Sequence, residues 1–324
     1  MEVSIVIPAY NAGACIERSV SSAIAAGSRV PGRWEVIVVN NRSTDNTWEL
    51  LQQIAANHPN LIRLANCPQP GASFARNLGT KLSSGKWIQY LDADDEIHPL
   101  KIVHQLNLAD DAQWVVGAYQ NRYLNGRKED VLPSSDLWKG LYYGFRTGHT
   151  ISNLLQRTAV DQIGGWNEDL PSNQDPDLHY RLLKAQVPFV LDPVPYSFYN
   201  HDNGKDRITN RFPARQYALR LAMLMDANGY LMDDRPGYWA DNEPFFLGAT
   251  LSVIRQLATF DILSAEKAYN ETFSASENIR KLPALDIVPQ YTRLYPYLGF
   301  RNVERLRLAL AGVIPAELKR ILKS

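Results

Sequence analysis

Short apolar runs alternate with segments of helical periodicity over the first two hundred residues, and this alternation restricts the fold more than any other feature. The first two runs are 3–7 and 35–39, and between them Ile16, Val20 and Ile24 recur at helical spacing. Further apolar runs follow at 61–65 and 87–91. Strands that alternate with helices form a mostly parallel sheet with helices on both faces. We therefore expect an α/β domain.

Three polar clusters follow these strands directly, at residues 8–11, 40–45 and 92–95. The carboxyl ends of parallel strands lie at one edge of a sheet, which is where α/β proteins bind ligands. The three clusters should therefore converge on one shared ligand site.

The pattern changes after about residue 210. Segments around 212–229, 243–260 and 262–281 have helical periodicity, and a turn-rich stretch at 233–237 separates the first two. We predict a first domain over 1–210 and a helical C-terminal region over 211–324.

Charge and composition exclude several functional classes. Lysine and arginine number 34, and so do aspartate and glutamate, which argues against nucleic-acid binding. No run reaches the roughly 18 uncharged apolar residues that a membrane-spanning helix needs, and the opening run is too short for a signal peptide. Only Cys15 and Cys67 are present, so we expect neither a disulfide framework nor a cysteine zinc site. We expect a cytoplasmic protein.

Three carboxylates lie within four residues after the fourth strand, at Asp92, Asp94 and Asp95. Like charges this close repel one another unless a cation or strong donors lie among them. Oxygen ligands at a strand end suit Mg²⁺ or Mn²⁺. The alternative is a solvated acidic turn beside a helix start.

Six short motifs occur in chain order and strengthen the metal hypothesis. They are Val-Ser-Ile-Val-Ile-Pro-Ala-Tyr-Asn at 3–11, Val-Ile-Val-Val-Asn-Asn-Arg-Ser-Thr-Asp at 36–45, Gly-Ala-Ser-Phe-Ala-Arg-Asn-Leu-Gly at 71–79, Tyr-Leu-Asp-Ala-Asp-Asp at 90–95, Gly-Gly-Trp-Asn-Glu-Asp at 164–169 and Asp-Pro-Asp-Leu-His-Tyr-Arg-Leu at 175–182. As a set they resemble the family 2 glycosyltransferases over about residues 1–205. The resemblance implies the GT-A fold, a Rossmann-like, mostly parallel sheet with helices on both faces, here followed by a C-terminal helical extension.

The resemblance implies a nucleotide site in the first two loops. Pro8, Ala9 and Tyr10 would line the base, although a simple strand-to-helix turn is the alternative. The second loop of the family usually carries aspartates, one of which accepts the uracil N3 proton, whereas this chain has Asn40 and Asn41. The Asn41 carbonyl can accept that proton, but its amide could equally favour another base. Uridine remains the first choice.

The resemblance also implies roles around the diphosphate. Arg76 would contact a phosphate or form a structural ion pair with an aspartate. Asp92 would bind the ribose, Ala93 would belong to the same nucleotide-sugar site, and Asp94 would bind Mn²⁺ or Mg²⁺. His201 would bind the metal or the diphosphate, with a structural role as the alternative. The cation would neutralise the leaving diphosphate.

Asp175 is the expected catalytic base of an inverting transfer, with capping of its own helix as the alternative. The family pattern has glutamate just before it, and this chain has Gln174, which cannot act as a base. Trp166 would form a wall for the sugar or acceptor, unless it packs in the core.

The predicted function is an inverting, metal-dependent hexosyltransferase of polysaccharide biosynthesis. It would transfer a sugar from a nucleoside diphosphate sugar, UDP-sugar first, to a hydroxyl of a glycan, lipid-linked or small-molecule acceptor. One alternative is a degenerate relative that binds nucleotide sugars without transfer. Another is a sugar nucleotidyltransferase, which should have a glycine-rich basic loop after the first strand, and residues 9–13 lack it.

The C-terminal segment 301–324 has a separate charge pattern. Its basic residues are Arg301, Arg305, Arg307, Lys319, Arg320 and Lys323, against Glu304 and Glu317. With its apolar stripe it could lie on the inner face of an anionic membrane. The alternative is a helix that packs on the protein and exposes a solvated basic face.

Overall fold

The structure, a computed structural model, describes residues 2–144, 146–201, 213–273 and 294–313, with side chains of 311–313 left out. The chain divides into two compact units, residues 1–204 and 205–324. The boundary predicted near residue 210 falls among residues 202–212, outside the described part, and stays a prediction.

The first unit contains two sheets. Its strands are β1 (Val3–Ala9), β2 (Trp34–Asn40), β3 (Ile62–Asn66), β4 (Trp87–Tyr90), β5 (Glu96–Ile97), β6 (Trp114–Gly117), β7 (Tyr119–Tyr123), β8 (Lys128–Val131), β9 (Leu154–Gln156), β10 (Phe189–Asp192) and β11 (Ser197–His201). The larger sheet has the order β10-β6-β9-β4-β1-β2-β3, and its strands are parallel except β9. The predicted mostly parallel α/β sheet is confirmed, and the four predicted strands are β1 to β4.

Strand β1 runs two residues beyond its predicted end at Ile7, through Pro8. Its pairing with β4 stops at Val6, whereas its pairing with β2 continues to Ala9. Proline is tolerated where a strand lacks one neighbour, because the missing N–H group then breaks no ladder. The proline therefore marks the end of one pairing and not of the strand.

The smaller sheet has the order β5-β11-β7-β8. Strand β11 is antiparallel to β5 and parallel to β7. The sequence did not predict this sheet, because β5 has only two residues and β8 is largely exposed and polar. Such segments lack the continuous apolar run of a buried strand.

The first unit also contains helices, several of which pack on the larger sheet. They are α1 (Ile16–Gly27), α2 (Thr47–Asn57), α3 (Ala72–Leu82), α4 (Lys101–Ala109), α5 (Leu137–Tyr142), α6 (Arg157–Gln162) and α7 (Gln174–Lys184). Helix α1 buries Ile16 and Val20 of its predicted apolar stripe almost completely, whereas the third predicted residue, Ile24, is partly buried. Helix α3 approaches β1 closely at Gly79, where a Cβ atom would lie 2.3 Å from a methyl group of Val6. Glycine at this position allows α3 to lie directly on the sheet.

The second unit is helical in its described residues. Its helices are α8 (Pro213–Asp234), α9 (Pro236–Ala258), α10 (Ile262–Phe273), α11 (Tyr295–Leu298) and α12 (Phe300–Val313). The break between α8 and α9 is shorter than the predicted turn, since only Arg235 separates the two helices. Proline fits the first turn of a helix, so Pro236 begins α9 where the sequence suggested a loop.

Buried charges in this unit are paired. Glu304 is fully buried and accepts hydrogen bonds from Arg255 (3.1 Å), Arg307 (2.6 Å) and the Tyr295 hydroxyl (2.7 Å). Arg301 pairs with Glu266. The remainder of the predicted basic segment, 314–324, lies outside the described residues. No helix in the described part is both long and apolar enough to cross a bilayer.

Candidate active site

The loops after β1 and β2 are joined at the carboxyl edge of the sheet, as the sequence predicted. The Asn11 N–H group donates to Ser43 Oγ (3.0 Å), and the Thr44 N–H group donates to Asn11 Oδ1 (2.8 Å). Asp45 accepts hydrogen bonds from the N–H groups of Gly13 (3.0 Å) and Thr47 (3.1 Å), so its carboxylate holds the first loop against the start of α2.

The residues predicted to line the base differ in exposure. Ala9 is fully buried, Pro8 is half-buried and Tyr10 is 57% exposed. The Tyr10 ring is therefore the part of this turn that can stack on a base.

The Asn41 side chain is buried and is hydrogen-bonded to the loop before α3 through both its amide and its carbonyl group. Its amide donates to the carbonyls of Cys67 (3.4 Å) and Gln69 (2.6 Å), and its Oδ1 accepts from the Gly71 N–H group (2.8 Å). Asn40 likewise donates to Asn66 Oδ1 (2.8 Å) and accepts from the Ser43 N–H group. Both donor hydrogens of Asn41 are used, and an amide oxygen has two lone pairs, so Asn41 can offer a ligand only an acceptor.

Arg76 lies at the centre of the site and is 4% exposed. One terminal nitrogen donates to Asp92 Oδ1 (2.7 Å), the other donates to Gln174 Oε1 (3.1 Å), and the guanidinium lies 4.4 Å from the centre of the Trp166 ring. Burial opposes its charge, but the carboxylates of Asp92 and Asp175 outweigh burial, so the pKa of Arg76 is raised. Burial would raise the pKa of Asp92, yet Arg76 and a smaller effect of His149 lower it. The predicted ion pair with an aspartate is present.

Two carboxylates and one imidazole form a group that could hold a cation. Ligand atoms of Asp92, Asp95 and His149 all lie within 4.8 Å of one another. Asp95 is fully buried, and its Oδ1 accepts from the Asn200 N–H group (2.8 Å). Carboxylate oxygens with one imidazole nitrogen suit Mn²⁺, and the carboxylates also suit Mg²⁺.

The predicted metal ligands Asp94 and His201 do not belong to this group of three. The Asp94 carbonyl accepts from Arg18 (2.8 Å) and Asn200 (3.0 Å). His201 Nε2 lies 2.9 Å from Asn121 Oδ1, and its ring stacks on Tyr123 at 4.3 Å. Their role as ligands stays a prediction.

His149 was missed because it lies in an irregular segment, and neither helical nor strand periodicity marks it. Its ring contacts Tyr119 and Tyr199 from the smaller sheet, at 5.6 and 4.5 Å between centres. A sheet that the sequence did not predict thus borders the cluster.

Asp175 is the second residue of α7, and its Oδ1 accepts a hydrogen bond from the Thr150 hydroxyl. The residue before the helix is Asn173, whose backbone is left-handed at φ 59°, so Asp175 does not occupy the capping position proposed as its alternative role. The neighbouring Gln174 accepts from Arg76 and donates to the Leu170 carbonyl (3.0 Å). Asp175 thus lies beside the charge of Arg76.

Trp166 is 2% exposed and packs its ring edge against Tyr90 at 5.1 Å. Gly164 and Gly165 precede it with φ of 74° and 73°, and its backbone N–H group donates to Asn77 Oδ1 (2.8 Å). This burial fits the packing alternative better than a wall of the sugar pocket, and the wall stays a prediction.

Comparison with known proteins places the chain in a family. The family model for glycosyl transferase family 2 matches residues 4–165, half of the chain. An uncharacterized glycosyltransferase of Rickettsia felis is 30% identical over 222 residues, which are 64% of this chain and 36% of that protein. The UDP-Glc:alpha-D-GlcNAc-diphosphoundecaprenol beta-1,3-glucosyltransferase WfaP of Escherichia coli is 34% identical over 122 residues, 38% of this chain and 46% of that protein. The chain thus spans less than half the length of these relatives.

Solved structures share the fold. TarS of S. aureus (residues 1–349, in complex with UDP-GlcNAc) has a TM-score of 0.58 at 17% identity, covering 94% of this chain and 91% of that one. The mannosyltransferase PcManGT of Pyrobaculum calidifontis (in complex with GDP-Man and Mn²⁺) has a TM-score of 0.56 at 18% identity, covering 96% and 86%. The expected GT-A glycosyltransferase fold with C-terminal helices is confirmed. By its matching family model, this chain belongs to glycosyl transferase family 2.

Proposed function

We propose that the chain transfers a sugar from a nucleoside diphosphate sugar to a hydroxyl acceptor. The observation that carries this proposal is that Asp92 belongs to a group with Asp95 and His149 and also pairs with the buried Arg76, which lies beside Asp175. Structural neighbours hold UDP-GlcNAc or GDP-Man, which supports a nucleotide sugar as the donor.

The donor in this proposal is a UDP-sugar. Asn41 can only accept a hydrogen bond from a ligand, so it suits a base that presents an N–H group, as uracil does at N3 and guanine at N1. At the equivalent ring nitrogen, cytosine N3 and adenine N1 are acceptors and have no hydrogen to donate to Asn41. A relative named for UDP-glucose and a neighbour bound to UDP-GlcNAc favour uridine over guanosine.

A divalent cation, Mn²⁺ or Mg²⁺, would be held by Asp92, Asp95 and His149, or by the sequence-based pair Asp94 and His201. When bound, it would neutralise the charge that develops on the diphosphate leaving group. Mn²⁺ in the PcManGT complex supports this part of the proposal.

Asp175 is the base in the proposed single displacement. The acceptor oxygen attacks the anomeric carbon, the bond from that carbon to the diphosphate oxygen breaks with its electron pair on the diphosphate, and the hydroxyl proton moves to the Asp175 carboxylate. The attack is opposite the leaving group, so the configuration inverts. Asp175 is partly exposed beside the buried Arg76 and can therefore meet an acceptor.

The acceptor is proposed to be a glycan or a lipid-linked sugar in cytoplasmic polysaccharide biosynthesis, because WfaP is named for a lipid-linked acceptor. Peripheral membrane contact through 301–324 is part of the same proposal. Two of its basic residues, Arg301 and Arg307, already pair with Glu266 and Glu304, so the attraction would have to come from the others.

Release of nucleoside diphosphate from a panel of UDP- and GDP-sugars with Mn²⁺ tests the proposal. We expect Asp175→Asn to lower turnover at least 100-fold with unchanged UDP binding by calorimetry, since a positioned base contributes about 10²–10⁴-fold. Asp161→Asn removes an exposed carboxylate outside the site and serves as the matched control. Wild-type turnover by Asp175→Asn would contradict its assignment as the base.

The Mn²⁺ dependence of Asp94→Ala and His149→Ala separates the two proposed ligand sets. The variant that has lost a ligand of the bound cation should need a higher Mn²⁺ concentration for half-maximal turnover than the wild type. If the wild type binds UDP-sugars but transfers sugar to no acceptor, the result would instead support a degenerate, binding-only protein. This alternative is suggested by Asn40, Asn41 and Gln174, which differ from the acidic residues of the family pattern.

A further inference from the structure

Asp175 accepts a single hydrogen bond from the described part of the chain. The Thr150 hydroxyl donates it to Oδ1, and no described residue donates to Oδ2. Thr150 is itself 3% exposed, whereas Asp175 is partly exposed. One carboxylate oxygen is thus fixed from the protein interior, and the other remains open to accept a proton.

Thr150 lies in an irregular segment, 147–153, that is nearly all buried. Buried side chains from other elements hold its carbonyl groups: Gln89 donates to Ile151 O (2.9 Å), Gln105 to Ser152 O (3.0 Å) and Lys101 to Asn153 O (3.3 Å). Buried carbonyl groups that are bonded in this way cannot be released without a large penalty. The segment is therefore fixed although it is neither helix nor strand.

His179 attaches the same segment to α7, the helix of Asp175. Asn153 Oδ1 accepts from the Gly117 N–H group (3.1 Å), so its Nδ2 faces His179 and donates to Nε2 (2.8 Å). Nε2 therefore has no proton, and the neutral ring carries it on Nδ1, which donates to Thr147 Oγ1 (2.9 Å). Burial lowers the pKa of His179 to about 4, which keeps the ring in this form.

Asp175 and His179 are four residues apart, so they lie on one face of α7. The helix is bonded to segment 147–153 at both positions. The segment also carries His149, so one fixed stretch of chain contacts both the base and the group of possible metal ligands.

We propose that Thr150 is a positioning residue for Asp175. Its hydroxyl holds Oδ1, which leaves Oδ2 to take the proton of the acceptor hydroxyl. The hydrogen bonds of His179 to Thr147 and Asn153 keep Thr150 at a fixed position relative to Asp175. This inference rests on the proposed function.

The experiment compares Thr150→Val, which removes the hydroxyl at constant shape, with Thr150→Ser, which retains it. Thr150→Val should lower kcat by about 10- to 100-fold, because small misplacement of a reacting group costs that much, while the KM for the donor stays within about twofold. Thr150→Ser should restore most of kcat. In the Asp175→Asn background, Thr150→Val should have no further effect, because it acts through Asp175 alone.

The outcomes separate this inference from the proposed function. An active wild type with normal kcat in Thr150→Val would overturn the positioning role and leave the proposed function intact. An equal loss in both backgrounds, or no rescue by serine at unchanged Tm, would also overturn it. A wild type that turns over no donor would overturn the proposed function, and this inference with it.

Discussion

The buried His179 ring should make the stability of the protein depend on pH. Its nitrogens bond to Thr147 and Asn153, and its ring stacks on Trp114 at 5.4 Å between centres. Burial disfavours the imidazolium form and lowers its pKa from 6.5 to about 4. Protonation would also give Nε2 a hydrogen that faces the amide donor of Asn153. We therefore expect His179 to stay neutral in the folded protein until the pH approaches 4.

The sign and size of the effect follow from this pKa. Between pH 6.5 and 4 the unfolded chain binds a proton at His179 and the folded protein does not, so stability is fully present above pH 6.5 and falls as the pH decreases. Each pKa unit between the folded and unfolded states corresponds to about 1.4 kcal/mol. The free energy of unfolding therefore falls by about 2 kcal/mol at pH 5 and by about 3 kcal/mol at pH 4, relative to neutral pH. Below about pH 4 the loss from this group levels off.

Urea unfolding at pH 7.0, 6.0 and 5.0 measures this loss in the wild type and in His179→Gln. The difference in free energy of unfolding between pH 7.0 and 5.0 should be about 2 kcal/mol smaller in the variant, whatever its absolute stability. His58→Gln, at the end of α2, is the matched control for removal of a histidine. Long-range ¹H–¹⁵N NMR spectra of the wild type should show His179 as the neutral Nδ1–H tautomer at pH 6. An Nε2–H tautomer, a charged ring at pH 6, or equal pH dependence in wild type and His179→Gln would refute the reasoning.

Two substitutions around Arg76 test the rest of the site. Arg76→Lys should lower the free energy of unfolding by about 2 kcal/mol and weaken UDP binding in calorimetry. The reason is that one ammonium group cannot bond to both Asp92 and Gln174 while it stacks on Trp166. Unchanged stability and affinity would refute the bridging role of Arg76. Gln174→Glu should keep turnover within about threefold of the wild type in the diphosphate-release assay, since the new carboxylate can still accept from Arg76. A loss as large as that expected for Asp175→Asn would show that the neutral amide is itself required.

The sheet and its ligand edge could be predicted because their signals are local. Strands such as β1 and β2 are largely buried on both faces, so each appears in the sequence as a mostly apolar run. The polar residues at their ends meet because parallel strands place these ends at one edge. The ion pair of Arg76 with an aspartate was one of two alternatives implied by the family resemblance, and the structure shows it with Asp92.

The contacts that complete the site are not local and give no such signal. Arg76 and Gln174 are 98 residues apart, and Asp175 and Thr150 are 25 apart. Segment 147–153 has no periodicity, because its order comes from side chains of other elements such as Gln89 and Lys101. His149 and Thr150 could therefore be recognised only from the folded arrangement.

Two of the three amides that replace acidic residues of the family pattern, Asn41 and Gln174, share one physical property. Asn41 and Gln174 each accept a hydrogen bond and also donate to a backbone carbonyl, which a carboxylate cannot do. Each holds the loop that leads into a helix of the site, α3 with Arg76 and α7 with Asp175. The substitutions thus add anchoring where the site is assembled, while Asp92 and Asp175 keep their carboxylates beside Arg76. Loss of function would not need such anchoring, and for this reason we favour sugar transfer over a binding-only protein.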